Sequence, residues 1–147
     1  MQLLLALLGT AMAVAPLYDQ RQSDVMNLNQ LNFDTQITKL LGTGSVSVVH
    51  FYSNGDGRSP SMKAEFERFA KDLKGIFKVG AVNCDESAHL CDKHDASVAD
   101  LPKFRIFPPM PMPAFHLAED FTYDALKKIA ARHIQAPPIT ELTDTNI

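Results

Sequence analysis

The sequence has no excess of basic charge. Its 14 Lys and Arg stand against 17 Asp and Glu, for a net charge of −3 and a pI near 5.9. The basic footprint that nucleic-acid binding needs is therefore missing. No apolar run reaches the ~20 residues needed to span a bilayer; the run from Leu3 to Ala15 falls short. There are only two cysteines, Cys84 and Cys91, spaced C-x6-C, so the chain has no C-x-x-C pair. The remaining composition is ordinary. With 147 residues, 46% hydrophobic and 21% charged, it suits a single globular domain.

The short apolar run has its own meaning. Ala11 and Ala13 form an A-x-A-like cleavage site with the cut after Ala13, and Ala13 and Ala15 form a second, with Pro16 following the cut. No Lys or Arg precedes the run, so only the terminal amine supplies positive charge there. The pattern predicts a signal peptide over residues 1–13; a short buried helix or an uncleaved anchor is the competing reading. A signal peptide implies an oxidising compartment, where paired cysteines become disulfides, and no membrane attachment after cleavage.

Periodicity then divides the chain. Leu17 to Asp24 is polar and reads as loose. Asp24 to Leu28 suits a short strand. Asn32 is a good N-cap for a helix carrying Phe33, Ile37, Leu40 and Leu41 at helical spacing, ended by Gly42 and Gly44. Ser45 to Ser53 is β-branched and aromatic, the signature of a central buried strand. Asn54 to Ser59 is turn chemistry. Ser59 as N-cap and Pro60 at the first helical position open a second helix, with Met62, Phe66, Phe69, Ala70 and Leu73 on one face and Gly75 at its end. Phe77 to Asn83 predicts a strand, Ser87 to His94 a short helix and Lys103 to Phe107 a strand. Pro108 to Pro113 is a loop, because proline removes ladder donors. Ala114 to Leu117 suits a last short strand. Thr122 caps a final helix with Tyr123, Leu126, Ile129 and Ala130 on its apolar face. The order β-α-β-α-β-α-β-β-α predicts an α/β fold with helices on both faces of the sheet and an antiparallel last pair.

Four segments resemble the protein disulfide isomerase family. VVHFYSNGDGRSPSMKAEFERFA resembles the strand that ends in Phe-Tyr and enters a helix through Trp-Cys-Gly-His-Cys. FKVGAVNCDESAHLCDKHD resembles the next strand and helix. ADLPKFRIFPP resembles the family's cis-proline loop, and APLYDQRQSDVMNLNQLNFD its opening. The resemblance runs from about Asp24 to His133. It implies a thioredoxin-like fold over residues 24–135, with a central mixed β-sheet of about five strands flanked by helices on both faces. Residues 136–147 then form a linker; ITELTDTNI resembles the opening strand of a second such domain, against which stands a coincidental polar tail.

An ungapped match sets Asp56 and Ser59 where the family has its two cysteines, with Gly57 retained and Arg58 between them. Exchange needs a thiolate with a lowered pKa and a second thiol to resolve the mixed disulfide. A carboxylate and a hydroxyl supply neither, so the match implies a degenerate, non-catalytic site. Asp56 and Ser59 are instead expected to accept hydrogen bonds from the free N–H groups of the helix. His50 falls where the family often has a buried acid, and is expected to be a buried histidine bonded to a neighbour, with a pH-responsive role as the alternative. Pro102 matches the cis-proline, which makes Leu101, Pro102 and Lys103 the peptide-binding candidates. Met110, Pro111, Met112 and Phe115 are placed near that side, the other reading being a poorly ordered proline loop.

The resemblance also implies that Cys84 and Cys91 bridge as a structural disulfide. Two alternatives stay open: a zinc set of Cys84, His89, Cys91 and His94, and a redox-active Cys84–Cys91 pair. No cofactor or metal is expected. The expected function is binding of unfolded or extended peptide segments, or of a partner protein, in the endoplasmic reticulum lumen or after secretion. The alternative is a non-catalytic first domain of a larger isomerase whose C-x-x-C lies outside this chain.

Overall fold

The computed structural model describes residues 16–39, 45–109, 112–117 and 122–132. The expected signal peptide, Leu40 and Leu41 with the glycines after them, Met110, Pro111 and the tail from 136 lie outside the described residues. The elements in chain order are β1 (Met26–Leu28), α1 (Phe33–Gln36), β2 (Val46–Tyr52), α2 (Ser59–Asp72), β3 (Phe77–Asn83), α3 (Ala88–Lys93), a 3-10 turn (Val98–Asp100), β4 (Lys103–Phe107), β5 (Phe115–His116) and α4 (Tyr123–Ala131). This is the predicted order.

The strands form one mixed sheet in the order β1-β3-β2-β4-β5. β1 and β2 both run parallel to β3, while β4 pairs antiparallel with β2 and β5 with β4. Every residue of β2 is buried, as a central strand covered on both faces requires. Its side chains alternate between two cores. Val46, Val48 and Tyr52 join Phe66, Phe69 and Ala70 of α2 and Tyr123 and Leu126 of α4 on one face. Val49 and Phe51 join Phe33, Ile37, Leu90 and Cys91 on the other. Full burial of a side chain such as Phe66 contributes about 1.5–3 kcal/mol.

Three local expectations need correction. Asn32 holds the N-cap position of α1, but its side chain bonds backward, Oδ1 accepting from Asn29 N–H at 2.7 Å and Nδ2 donating to Asn27 C=O at 3.1 Å. The helix it opens is only four residues long. Second, α2 begins at Ser59 itself, with Arg58 at the N-cap and no side-chain cap from it. Third, Leu17 to Asp24 is not loose. Tyr18 is fully buried in the α2-side core, Asn27 Nδ2 donates to its carbonyl at 2.9 Å, and Gln20 bonds both Val25 C=O and Asn27 N–H. One aromatic ring in a polar stretch is enough to anchor the segment.

Cys84 and Cys91 form a disulfide, with an S–S distance of 2.07 Å and Cα atoms 5.7 Å apart. Both are fully buried in the second core, and Cys84 N–H bonds Tyr52 C=O at 2.7 Å. With the sulfurs bonded to each other, the zinc reading loses its two strongest ligands. His94 instead packs its ring 4.7 Å from that of Phe33. The cross-link closes a short loop, so chain entropy sets its contribution at about 2–3 kcal/mol. Thiol counting on the denatured, unreduced chain is expected to find none. The Cys84→Ala/Cys91→Ala pair should unfold in urea with stability lower by at least that amount; an unchanged midpoint would contradict it.

Candidate functional site

The site forms where β2 hands over to α2. Ser53 to Asp56 makes a turn closed by Asp56 N–H on Ser53 C=O at 3.2 Å. Asp56 Oδ1 accepts from the N–H groups of Arg58 at 2.9 Å and Ser59 at 3.1 Å. The carboxylate thereby satisfies two donors at the start of α2, and its charge suits the positive end of the helix dipole. Asp56 therefore caps as expected. Ser59 does not; its hydroxyl turns inward.

Ser59 is 1% exposed and bonds in two directions. Its Oγ meets Asp56 Oδ2 on one side and His50 Nε2 at 3.0 Å on the other. The opposite ring nitrogen of His50, Nδ1, lies 2.7 Å from the hydroxyl of Tyr18. The imidazole stacks on Phe104 at 4.3 Å, with Tyr18, Tyr52 and Phe66 around it. His50 is fully buried. Burial pushes its pKa down to about 3, against the opposing pull of Asp56. Burial likewise raises the pKa of the Tyr18 hydroxyl, which keeps its proton.

These facts assign every proton. An ionised carboxylate only accepts, so the Ser59 hydroxyl donates to Asp56. Ser59 Oγ must then accept from His50 Nε2–H. Nδ1 of the neutral ring is left as an acceptor for Tyr18 O–H. The direction of donation is thus Tyr18 to His50 to Ser59 to Asp56, and both ring nitrogens of His50 and the Ser59 hydroxyl are satisfied. The same direction excludes a hydrolase-type serine. There the histidine nitrogen must accept the serine proton, whereas here it donates to the oxygen. Ser59 is also closed to solvent.

A groove of about 450 Å³ lies beside the turn. It is lined by Gly55, Asp56 and Arg58 of the turn and helix entrance and by Asp85, Val98 and Leu101. The Leu101–Pro102 peptide bond is cis. Leu101 is extended, at φ −81° and ψ 153°, and its carbonyl accepts no hydrogen bond from any described residue. Lys103 turns away: it pairs with Phe51 in the sheet and its ammonium donates to Asp95 C=O at 3.1 Å. Phe115 also departs from its expected place, packing against the α2-side core, and neither it nor Met112 lines the groove. The structure therefore joins Asp56, Gly57, Arg58 and Leu101 in one surface. It sets His50 and Ser59 beneath that surface, and the cysteines apart in the opposite core. The residue that sequence reasoning missed is Tyr18; its signal was a lone aromatic following Leu17 in a polar stretch.

The sequence matches the thioredoxin family over residues 24–131. It is 31% identical over 124 residues to protein disulfide isomerase-like 2-3 of Oryza sativa subsp. japonica, covering 80% of this chain and 26% of that protein. It is 35% identical over 83 residues to a protein disulfide-isomerase A6 homolog of Drosophila melanogaster, covering 56% of this chain and 18% of that protein. Among solved structures it is similar to the J-Trx1 fragment of ERdj5, with a TM-score of 0.64 and 26% identity, over 77% of this chain and 53% of that one. The chain spans less than a third of the length of the curated relatives it matches.

The buried histidine sets a pH dependence. Its folded pKa is depressed, so between the unfolded value near 6.5 and about 3 the unfolded chain binds a proton that the folded one refuses. The stabilisation is complete above pH 6.5 and is lost as pH falls through that window. From pH 7.5 to pH 5 His50 is expected to remove about 2 kcal/mol. His94 and His116, also depressed, add in the same direction. Urea unfolding of the native chain and of His50→Leu at both pH values isolates the His50 share. Equal slopes in the two proteins would rule the assignment out.

Proposed function

Because the chain belongs to the thioredoxin family, as a domain of the protein disulfide isomerase type, we propose that it is a redox-inactive member that binds extended segments of client or partner proteins in the secretory pathway. One observation carries the proposal. At the entrance of α2, oxygen stands in place of sulfur: Asp56 and Ser59 are hydrogen-bonded to each other. The only cysteines are consumed in a buried disulfide on the other face of the sheet. No thiolate is left to attack a client disulfide, and none to resolve a mixed one.

The binding half of the proposal is supported by what survives around that entrance. The Leu101 carbonyl is free of described partners and its backbone is extended. An extended peptide can add to such an edge as a strand, taking main-chain hydrogen bonds there and side-chain contacts in the groove. A secretory location is supported by the apolar run at Leu3 to Ala15 and by a structural disulfide, which persists in oxidising compartments. That location is the endoplasmic reticulum lumen, with secretion as its alternative.

A second reading is favoured by one observation. The matched region is a small part of its relatives, so this domain also suits the non-catalytic unit of a longer isomerase whose C-x-x-C lies elsewhere. In both readings the domain itself carries out no exchange. Insulin reduction with dithiothreitol tests this directly. The native chain should match the blank, and Asp56→Cys/Ser59→Cys should exceed it. Turnover by the native chain that persists in Asp56→Ala/Ser59→Ala would refute the assignment.

A further inference from the structure

We propose that the groove beside Leu101 selects extended segments carrying lysine or arginine, with the cationic head placed on Asp85; this rests on the peptide-binding reading above. The groove's lining side chains carry two carboxylates, Asp56 and Asp85, against one guanidinium, Arg58. The two carboxylates are not equivalent. Both oxygens of Asp56 already accept hydrogen bonds, Oδ1 from the backbone N–H groups of Arg58 and Ser59 and Oδ2 from the Ser59 hydroxyl, so Asp56 contributes chiefly through its charge. Asp85 spends only Oδ2, which accepts from Asn54 N–H at 2.7 Å; its Oδ1 accepts from no described residue. Asp85 is exposed, so an incoming ammonium or guanidinium reaches that oxygen without having to open the fold.

The apolar wall fits the same ligand. Val98 is 49% exposed and Leu101 half-buried, and both line the groove together with Asp85. Lysine and arginine bury their methylene stems along such surface while the charged head stays in water. The Leu101 carbonyl supplies an acceptor for a main-chain N–H of the ligand, which sets the strand's register. A glutamate in the same position would meet both carboxylates. Among the described lining side chains, Arg58 carries the one positive charge.

The test uses three fluorescent nonapeptides of identical apolar sequence that differ at two positions, Lys, Gln or Glu, titrated by anisotropy into the full chain at low ionic strength. The Lys peptide should bind about two- to fivefold more tightly than the Gln peptide, the advantage expected of an exposed charge pair. The advantage should fade in 0.5 M salt, where the Debye length is only ~4 Å. It should vanish in Asp85→Asn, whose amide oxygen still accepts from Asn54 N–H, and return in Asp85→Glu. Equal binding of the Lys and Gln peptides, or a preference for Glu, overturns the specificity and leaves peptide binding standing. So does a Lys advantage that survives in Asp85→Asn. Failure of all three peptides to bind overturns the peptide-binding reading itself.

Discussion

Everything at the α2 entrance depends on one buried imidazole that must stay neutral. His50 has no contact with water, and each of its ring nitrogens has a single partner, Tyr18 on one side and Ser59 on the other. An unpaired buried donor or acceptor costs about 1–3 kcal/mol. The ring therefore fixes both neighbours at once. It holds the N-terminal segment down through Tyr18. It also turns the Ser59 hydroxyl inward, which leaves the capping of α2 to Asp56. The turn from Ser53 to Asp56, and with it one wall of the groove, follows from that division of labour.

The substitution of oxygen for sulfur changes what the site can do, yet the site stays fully bonded. In an active domain of this type the entrance is a place of covalent exchange. Here the two positions are joined by a hydrogen bond that carries no electrons to or from a client. The charge there belongs to Asp56, which lines the groove together with Asp85, Val98 and Leu101. Of the two residues, Asp56 lines the groove and Ser59 lies buried beneath it. The disulfide sits in the core on the opposite face of the sheet, where it ties the end of β3 to α3.

Much of the fold was legible because its signals are local. The β-branched and aromatic content of VSVVHFY marked β2 as a buried central strand, and the helical spacing of Phe66, Phe69 and Leu73 marked α2. The turn residues between them marked the entrance. Cap chemistry was legible in kind, though its assignment to particular residues was not. Asn32, Ser59 and Asp56 are all competent caps by type, and only Asp56 performs the role. Each of the other two is claimed by a partner that local pattern does not reveal. Asn32 is claimed by Asn27 and Asn29, and Ser59 by His50, nine residues upstream.

The sequence by itself determined the order of the elements, the two-sided sheet and the absence of a thiol pair at the α2 entrance. Periodicity and residue chemistry are properties of short stretches, and they survive without knowledge of distant contacts. Tertiary structure alone decided that Tyr18 closes the buried polar chain, that His50 donates from Nε2, that Lys103 leaves the groove and that Asp85 enters it. Those outcomes depend on which surfaces the sheet brings together across 30 residues or more, as with Tyr18 and His50 or Asn54 and Asp85. Hydrogen-bond direction is fixed only when every donor and acceptor in a closed space is counted together.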